Sequence, residues 1–149
     1  MEARKVIFLD FDGVIRCFGW KRESLNHLND VIDETGARIV VTSDWRHSHS
    51  REEIVGLLDG FGILGIKNAD VTPILKVDED NLAAAEPRRS EILAWLKENG
   101  PRDYVILDDM NALASTELAD RLVLCNYEEG LTELGAIEAI EILNYRKTP

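Results

Sequence analysis

Cysteine is scarce in this chain of 149 residues: Cys17 and Cys125 are the whole complement, and they lie far apart. Two such thiols build no disulfide framework and offer no metal-ligand spacing, so both are expected to be buried thiols. Long apolar runs are missing as well. No stretch approaches the length of a bilayer-spanning helix, which argues against a membrane protein, and no charged-then-apolar leader opens the sequence. A cytoplasmic protein is the expectation. Basic residues are outnumbered, with 17 Lys and Arg against 28 Asp and Glu, for a net charge of -11. That balance excludes a strong general nucleic-acid surface, which needs a basic stripe to offset phosphate repulsion. A local basic pocket is still allowed, and Lys21 with Arg22, Arg46 with Arg51, and Arg88 with Arg89 are candidates. Repeats, low-complexity segments and linkers are absent too. Residues 1–149 are therefore expected to form one domain, long enough to bury a full core.

What is present is a regular alternation of strand-like and helix-like segments. Strand-like runs fall at 5–9, 38–41, 104–107 and 121–124, with a weaker one near 70–74. The first helix is expected over 23–34, with Leu25, Leu28, Val31 and Ile32 on one face and Gly36 as its stop. A second opens on the capping-box pattern Ser50-Arg51-Glu52-Glu53 and carries Ile54, Leu57 and Leu58. A third begins near Pro87 and holds Ile92, Leu93, Trp95 and Leu96 before Gly100. The last runs over 132–145. This order predicts βαβ units, hence an α/β fold with a parallel sheet and helices on both faces.

The polar residues that end the strands carry the chemistry. Val6-Ile7-Phe8-Leu9 runs straight into Asp10-Phe11-Asp12-Gly13. Residues i and i+2 of an extended chain point to one side, so two carboxylates arrive together at a strand's C-terminal end. Open α/β sheets place their ligand sites there. Carboxylates that close repel unless a cation or a shared proton compensates. Val40-Val41 leads into Thr42-Ser43, and Val105-Ile106-Leu107 into Asp108-Asp109. In a parallel sheet these three ends share one edge. Acids so gathered supply the oxygen ligands that Mg2+ prefers, and hydroxyls suit a phosphoryl oxygen. Each piece alone has a plainer reading, as an Asp-rich turn or a helix cap.

Together the motifs resemble the haloacid-dehalogenase-like (HAD) superfamily. Asp10-Phe11-Asp12-Gly13-Val14 resembles its first motif, the strand ending in Thr42-Ser43 its second, and Asp108-Asp109 its fourth. Thr42-Ser43-Asp44-Trp45-Arg46, Arg88-Arg89-Ser90-Glu91-Ile92 with Trp95-Leu96, the 104–109 run and Gly130-Leu131-Thr132 extend the likeness to the small HAD domains of Swiss Army Knife RNA repair proteins. The resemblance implies a three-layer Rossmann-like HAD fold. It implies a phosphatase in which Asp10 is the nucleophile, forming an aspartyl-phosphate, and Asp12 the general acid and base. It also implies Mg2+ held by Asp10, the Asp12 backbone carbonyl and an acid of the late pair, Asp109 ahead of Asp108. Thr42, or else Ser43, would hold a phosphoryl oxygen. Arg88, or else Arg89, would be the basic residue of the third motif, where a Lys is more usual.

Phe18, Trp20, Trp45 and Arg46 are candidates for a substrate rim; the plainer readings are burial against the sheet edge for Phe18 and Trp20, packing for Trp45, and a pair with Asp44 or a neighbouring acid for Arg46. His47 and His49 read as exposed loop histidines. Residues 14–38 and 48–87 are too short for a substantial cap domain, the second holding one helix and a loop over 76–86 rich in acids and alanine. An open site suits substrates that bring their own bulk, such as a nucleic-acid end or a protein phosphate, with a nucleotide or a small phosphorylated metabolite as the alternative. A non-catalytic HAD-like binding or regulatory module is the competing expectation. A phospho-receiver domain fits poorly, because its adjacent acids follow the first strand and its acceptor a middle one.

Overall fold

The computed structural model describes residues 5–75, 86–100 and 103–146. Five parallel strands form one sheet in the order β3-β2-β1-β4-β5. They are β1 (Lys5–Leu9), β2 (Arg38–Val41), β3 (Asp70–Val71), β4 (Asp103–Asp108) and β5 (Leu122–Leu124). The helices are α1 (Arg22–Thr35), α2 (Arg51–Gly60), α3 (Glu86–Asn99) and α4 (Glu133–Tyr145). The chain winds outward from β1 through β2 to β3, then returns to lay β4 on the other side of β1. The break between β1 and β4 is the topological switch point of the sheet, where open α/β folds leave a crevice.

Both faces of the sheet are buried, which is why the strands read as continuous apolar runs rather than alternating ones. Ile7, Leu9, Ile39, Val41, Val105 and Leu107 face α1, α2 and α4, packing with Leu25, Leu28, Ile54, Leu58, Ala139 and Ile142. The alternate residues Val6, Phe8, Val40 and Ile106 face α3 through Ile92 and Trp95, joined by Leu113 and Leu118. The three layers expected from the sequence are thus present.

The boundaries differ in informative ways. Helix α1 stops at Gly36 as its spacing predicts, and the capping box at the start of α2 is formed in full. The weak strand near 70–74 shrinks to two residues: the Thr72 N–H still donates to the Val41 carbonyl at 3.0 Å, but the Thr72 and Pro73 carbonyls accept from Arg46 instead of a neighbouring strand. Strand β4 takes in Asp108, so the late acidic pair begins inside the sheet rather than after it. Short 3-10 turns at Asp44–His47, Ile66–Asn68, Asn111–Ser115 and Ala119–Arg121 are not foreshadowed by periodicity. After β1 the chain makes a tight hairpin, bridged between Asp12 and Arg16 and again between Arg16 and Trp20, before entering α1. No inserted domain interrupts the described residues, and the stretch 76–85 lies outside them. Among the described residues, no helix is long and apolar enough to cross a membrane.

Candidate active site

Register brings the strand-end residues side by side. The Asp10 backbone N–H donates to the Leu107 carbonyl at 3.1 Å, and that of Thr42 to the Leu9 carbonyl at 2.9 Å. Asp10 therefore stands one residue beyond β1, flanked by the ends of β2 and β4. It is 7% exposed, and its Oδ1 accepts from the Phe11 N–H at 2.9 Å. Asp10, Asp108 and Asp109 each offer a carboxylate oxygen, all within 4.8 Å of one another.

One buried cation faces them. Arg88 donates through Nη1 to Asp108 Oδ2 at 2.5 Å, and the same nitrogen lies 3.6 Å from Asp10 Oδ2. Its Nη2 reaches the exposed Asp44 at 3.4 Å. Three acids against one guanidinium leave excess negative charge in a place with little water. Burial, then the charge of Asp108, pushes the Asp10 carboxyl up to about 8 against the pull of Arg88 and the Phe11 N–H. Burial and Asp108 raise Asp109 likewise. Burial opposes the charge on Arg88, but Asp108 and Asp10 outweigh it and hold the guanidinium protonated.

The donor set is all carboxylate oxygen, the chemistry of a hard divalent cation such as Mg2+. Two local features fit a ligand. The Thr42 hydroxyl is buried without a hydrogen-bond partner among the described residues, a cost that an incoming oxygen would relieve. Gly13 lies with its backbone against Asp109: a Cβ there would fall 2.2 Å from Asp109 Oδ2. Its φ of 85° is also one that only glycine adopts freely. Asp109 owes its place to that missing side chain. Asp108, by contrast, is committed to Arg88 and to the Met110 N–H at 2.9 Å.

The other candidates divide. Asp12 shares the hairpin, but its carboxylate lies outside the acid cluster, with Arg16 Nη1 at 2.7 Å from Oδ1 and Trp45 Nε1 at 3.2 Å from Oδ2. Ser43 caps the following turn, its Oγ accepting from the Trp45 N–H at 3.2 Å. Arg89 turns away to an exposed pair with Glu117. Phe18 tips the hairpin, 82% exposed with a φ of 60°, its ring edge-on to Tyr127 at 5.3 Å. Trp20 and Trp45 are partly buried in an aromatic cluster with Phe11 and Phe61.

Arg46 corrects the expectation of a rim residue. It is buried, and its guanidinium is spent on Ser43 O, Thr72 O and Oγ1, Pro73 O and Glu91. The second Glu91 oxygen accepts from the Leu75 N–H, so the pair ties the ends of β2 and β3 to the helix that carries Arg88. His47 is exposed, while His49 is partly buried, stacked on Trp45. Both cysteines are free, but Cys17 is only partly buried. Lys21, Arg22 and Arg51 donate to the backbone carbonyls of Glu129, Phe61 and Ala69. Sequence reading missed Arg16 and Glu91. Neither gives a local signal, because each matters only through a partner brought to it by the fold.

A parallel sheet with an acid-lined switch point and no inserted cap among the described residues is the architecture of a capless HAD-type protein. The chain belongs to the family described as the HAD domain in Swiss Army Knife RNA repair proteins, whose profile matches residues 6–136. No curated protein and no solved structure matches it. Membership places the chain in a superfamily of phosphohydrolase type.

Proposed function

We propose that this protein is a Mg2+-dependent phosphomonoester hydrolase acting through an aspartyl-phosphate on Asp10. The observation that carries the reading is the setting of Asp10, with a buried arginine and an acid pair on one side and an unpartnered Thr42 hydroxyl beside it. Bound by Asp10, Asp109 and the Asp12 backbone carbonyl, with Asp108 alongside, Mg2+ would supply the positive charge that lets a phosphate dianion approach a carboxylate.

The chain's own residues do the rest. An Asp10 oxygen attacks phosphorus as the ester P–O bond breaks, and Asp12 gives a proton to the departing oxygen. Asp12 then takes a proton from water, whose oxygen attacks the same phosphorus and releases Asp10. Arg88 and Thr42 hold the equatorial oxygens, where charge accumulates. A phosphate bearing a sizeable leaving group, such as a nucleic-acid end, fits the capless site best, with a nucleotide or a small metabolite as alternatives. The family's tie to RNA repair proteins favours an RNA end among these. The charge of -11 favours a terminus held at the site over a long polynucleotide track. We place the protein in the cytoplasm.

Hydrolysis of p-nitrophenyl phosphate, then of RNA and DNA ends, nucleotides and phosphorylated metabolites, tests the reading. Activity with Mg2+ that EDTA removes and Asp10→Asn abolishes is the expected result. An inert wild type, or equal turnover by Asp10→Asn, would overturn it in favour of a binding module.

A further inference from the structure

Asp12 is gripped from two directions. Arg16, four residues on in the same hairpin, donates to Oδ1 at 2.7 Å, and Trp45, from the turn after β2, donates to Oδ2 at 3.2 Å. The two arms differ in character. Arg16 is a partly exposed side chain whose guanidinium lies 5.6 Å from the Trp45 ring centre. The indole is wedged in place. Its ring is edge-on to Phe11 at 5.8 Å and to Trp20 at 5.4 Å, and it stacks on His49 at 4.9 Å with 23° between the planes. Its backbone N–H is fixed by Ser43. An indole N–H only donates, so it can orient a carboxylate but cannot relay its proton. Asp12 is itself partly exposed, with two side-chain torsions free to turn unless something fixes them.

We propose that Trp45 is a positioning residue for Asp12, its wedged indole N–H setting the carboxylate at the angle from which it serves the leaving oxygen. The inference rests on the hydrolase reading above. It makes the residue three places after Thr42 part of the apparatus around Asp12, in addition to its packing role. Orientation matters here because a proton donor held at the reacting atom acts as an intramolecular reagent.

The test has two arms, both using Trp45→Phe, which keeps an aromatic ring and deletes the donor. In a 15N-labelled sample, the indole signal lost in Trp45→Phe identifies Trp45 among the three tryptophans. Asp12→Ala is expected to move that signal and hasten its exchange with solvent, and Asp12→Asn, which keeps an acceptor, to restore part of the difference. In the second arm, kcat/KM is compared for an aryl phosphate, whose leaving oxygen needs little protonation, and an alkyl phosphate, whose leaving oxygen needs it fully. Trp45→Phe should stay within about twofold of wild type on the aryl ester and lose about tenfold or more on the alkyl ester. An indole signal indifferent to Asp12, or equal losses on both esters, would overturn the positioning role while leaving the hydrolase reading intact. A wild type inert on every ester would overturn the hydrolase reading and the positioning role with it.

Discussion

Arg88 Nη1 stands 2.5 Å from Asp108 Oδ2, and neither side chain is more than 6% exposed. A buried ion pair of this kind is costly to break from one side, because the surviving charge has neither water nor partner. Here the guanidinium also faces Asp10, so its removal strands two acids. Arg88→Ala is expected to destabilise the protein by about 3–5 kcal/mol. Urea unfolding measures it directly. Arg89→Ala breaks a partly exposed pair with Glu117 and should change stability by less than about 1 kcal/mol. The same two variants separate the residues in function: phosphate-ester turnover should be lost in the first and kept in the second.

Gly13 gives a second test of the site's construction. Alanine there would suffer a left-handed backbone, at about 1–2 kcal/mol, and would drive its Cβ into Asp109. The carboxylate has to leave for the chain to fold. Gly13→Ala should therefore weaken Mg2+ binding in calorimetry more than its modest loss of thermal stability would suggest. A control at Gly60, where a Cβ meets nothing, should leave metal binding unchanged.

The limits of sequence reading follow the same line between local and assembled features. The strands were legible because three of the four apolar runs end abruptly in Asp or Thr, and a parallel order then puts those ends on one edge. Choosing Arg88 over Arg89 was within reach, since Arg88, Ile92 and Trp95 fall on one helical stripe and Trp95 packs edge-on to Phe8 beneath it. Arg46 was not. An arginine in a turn after a strand looks solvated, and only Glu91, delivered from another helix, makes its burial affordable. The grip on Asp12 was equally hidden: Arg16 reaches it across a hairpin whose bridges no periodicity announces. The acid-lined sheet edge was thus readable from strand ends, while the supports around it were not.

The capping box of α2 carries a pH dependence of known sign. Ser50 Oγ accepts from the Glu53 N–H at 3.1 Å, and Glu53 Oε1 from the Ser50 N–H at 3.0 Å. These bonds hold the Glu53 carboxyl below its ordinary value of 4.5, the backbone N–H of Ser50 first among them. A group lowered on folding stabilises above its unfolded pKa and loses that contribution as pH falls through the folded value. Wild type should thus melt above Glu53→Gln near neutrality, with the gap closing as pH drops below 4.5. Paired thermal melts across that range check it. A gap that persists at pH 3 would mean that ionised Glu53 is not its source.

Thr42 offers the sharpest separation of stability from binding. Its Oγ1 is fully buried with no hydrogen-bond partner among the described residues, so the fold bears the loss of hydration without return. Valine matches its shape and carries no polar atom. Thr42→Val should therefore melt no lower than wild type, and higher if the orphaned hydroxyl is as unfavourable as such groups usually are. The same change deletes a donor beside Asp10 that a phosphoryl oxygen would accept. Affinity for inorganic phosphate or vanadate in the presence of Mg2+ should fall roughly 10- to 100-fold, the range for a hydrogen bond to a charged group. The two measurements must move oppositely. A variant that loses both stability and affinity would show that the hydroxyl is satisfied within the fold, and one that loses neither would remove Thr42 from the site. A stable protein that no longer holds phosphate would show that the chain keeps an unpaired polar group at its sheet edge for the sake of its ligand.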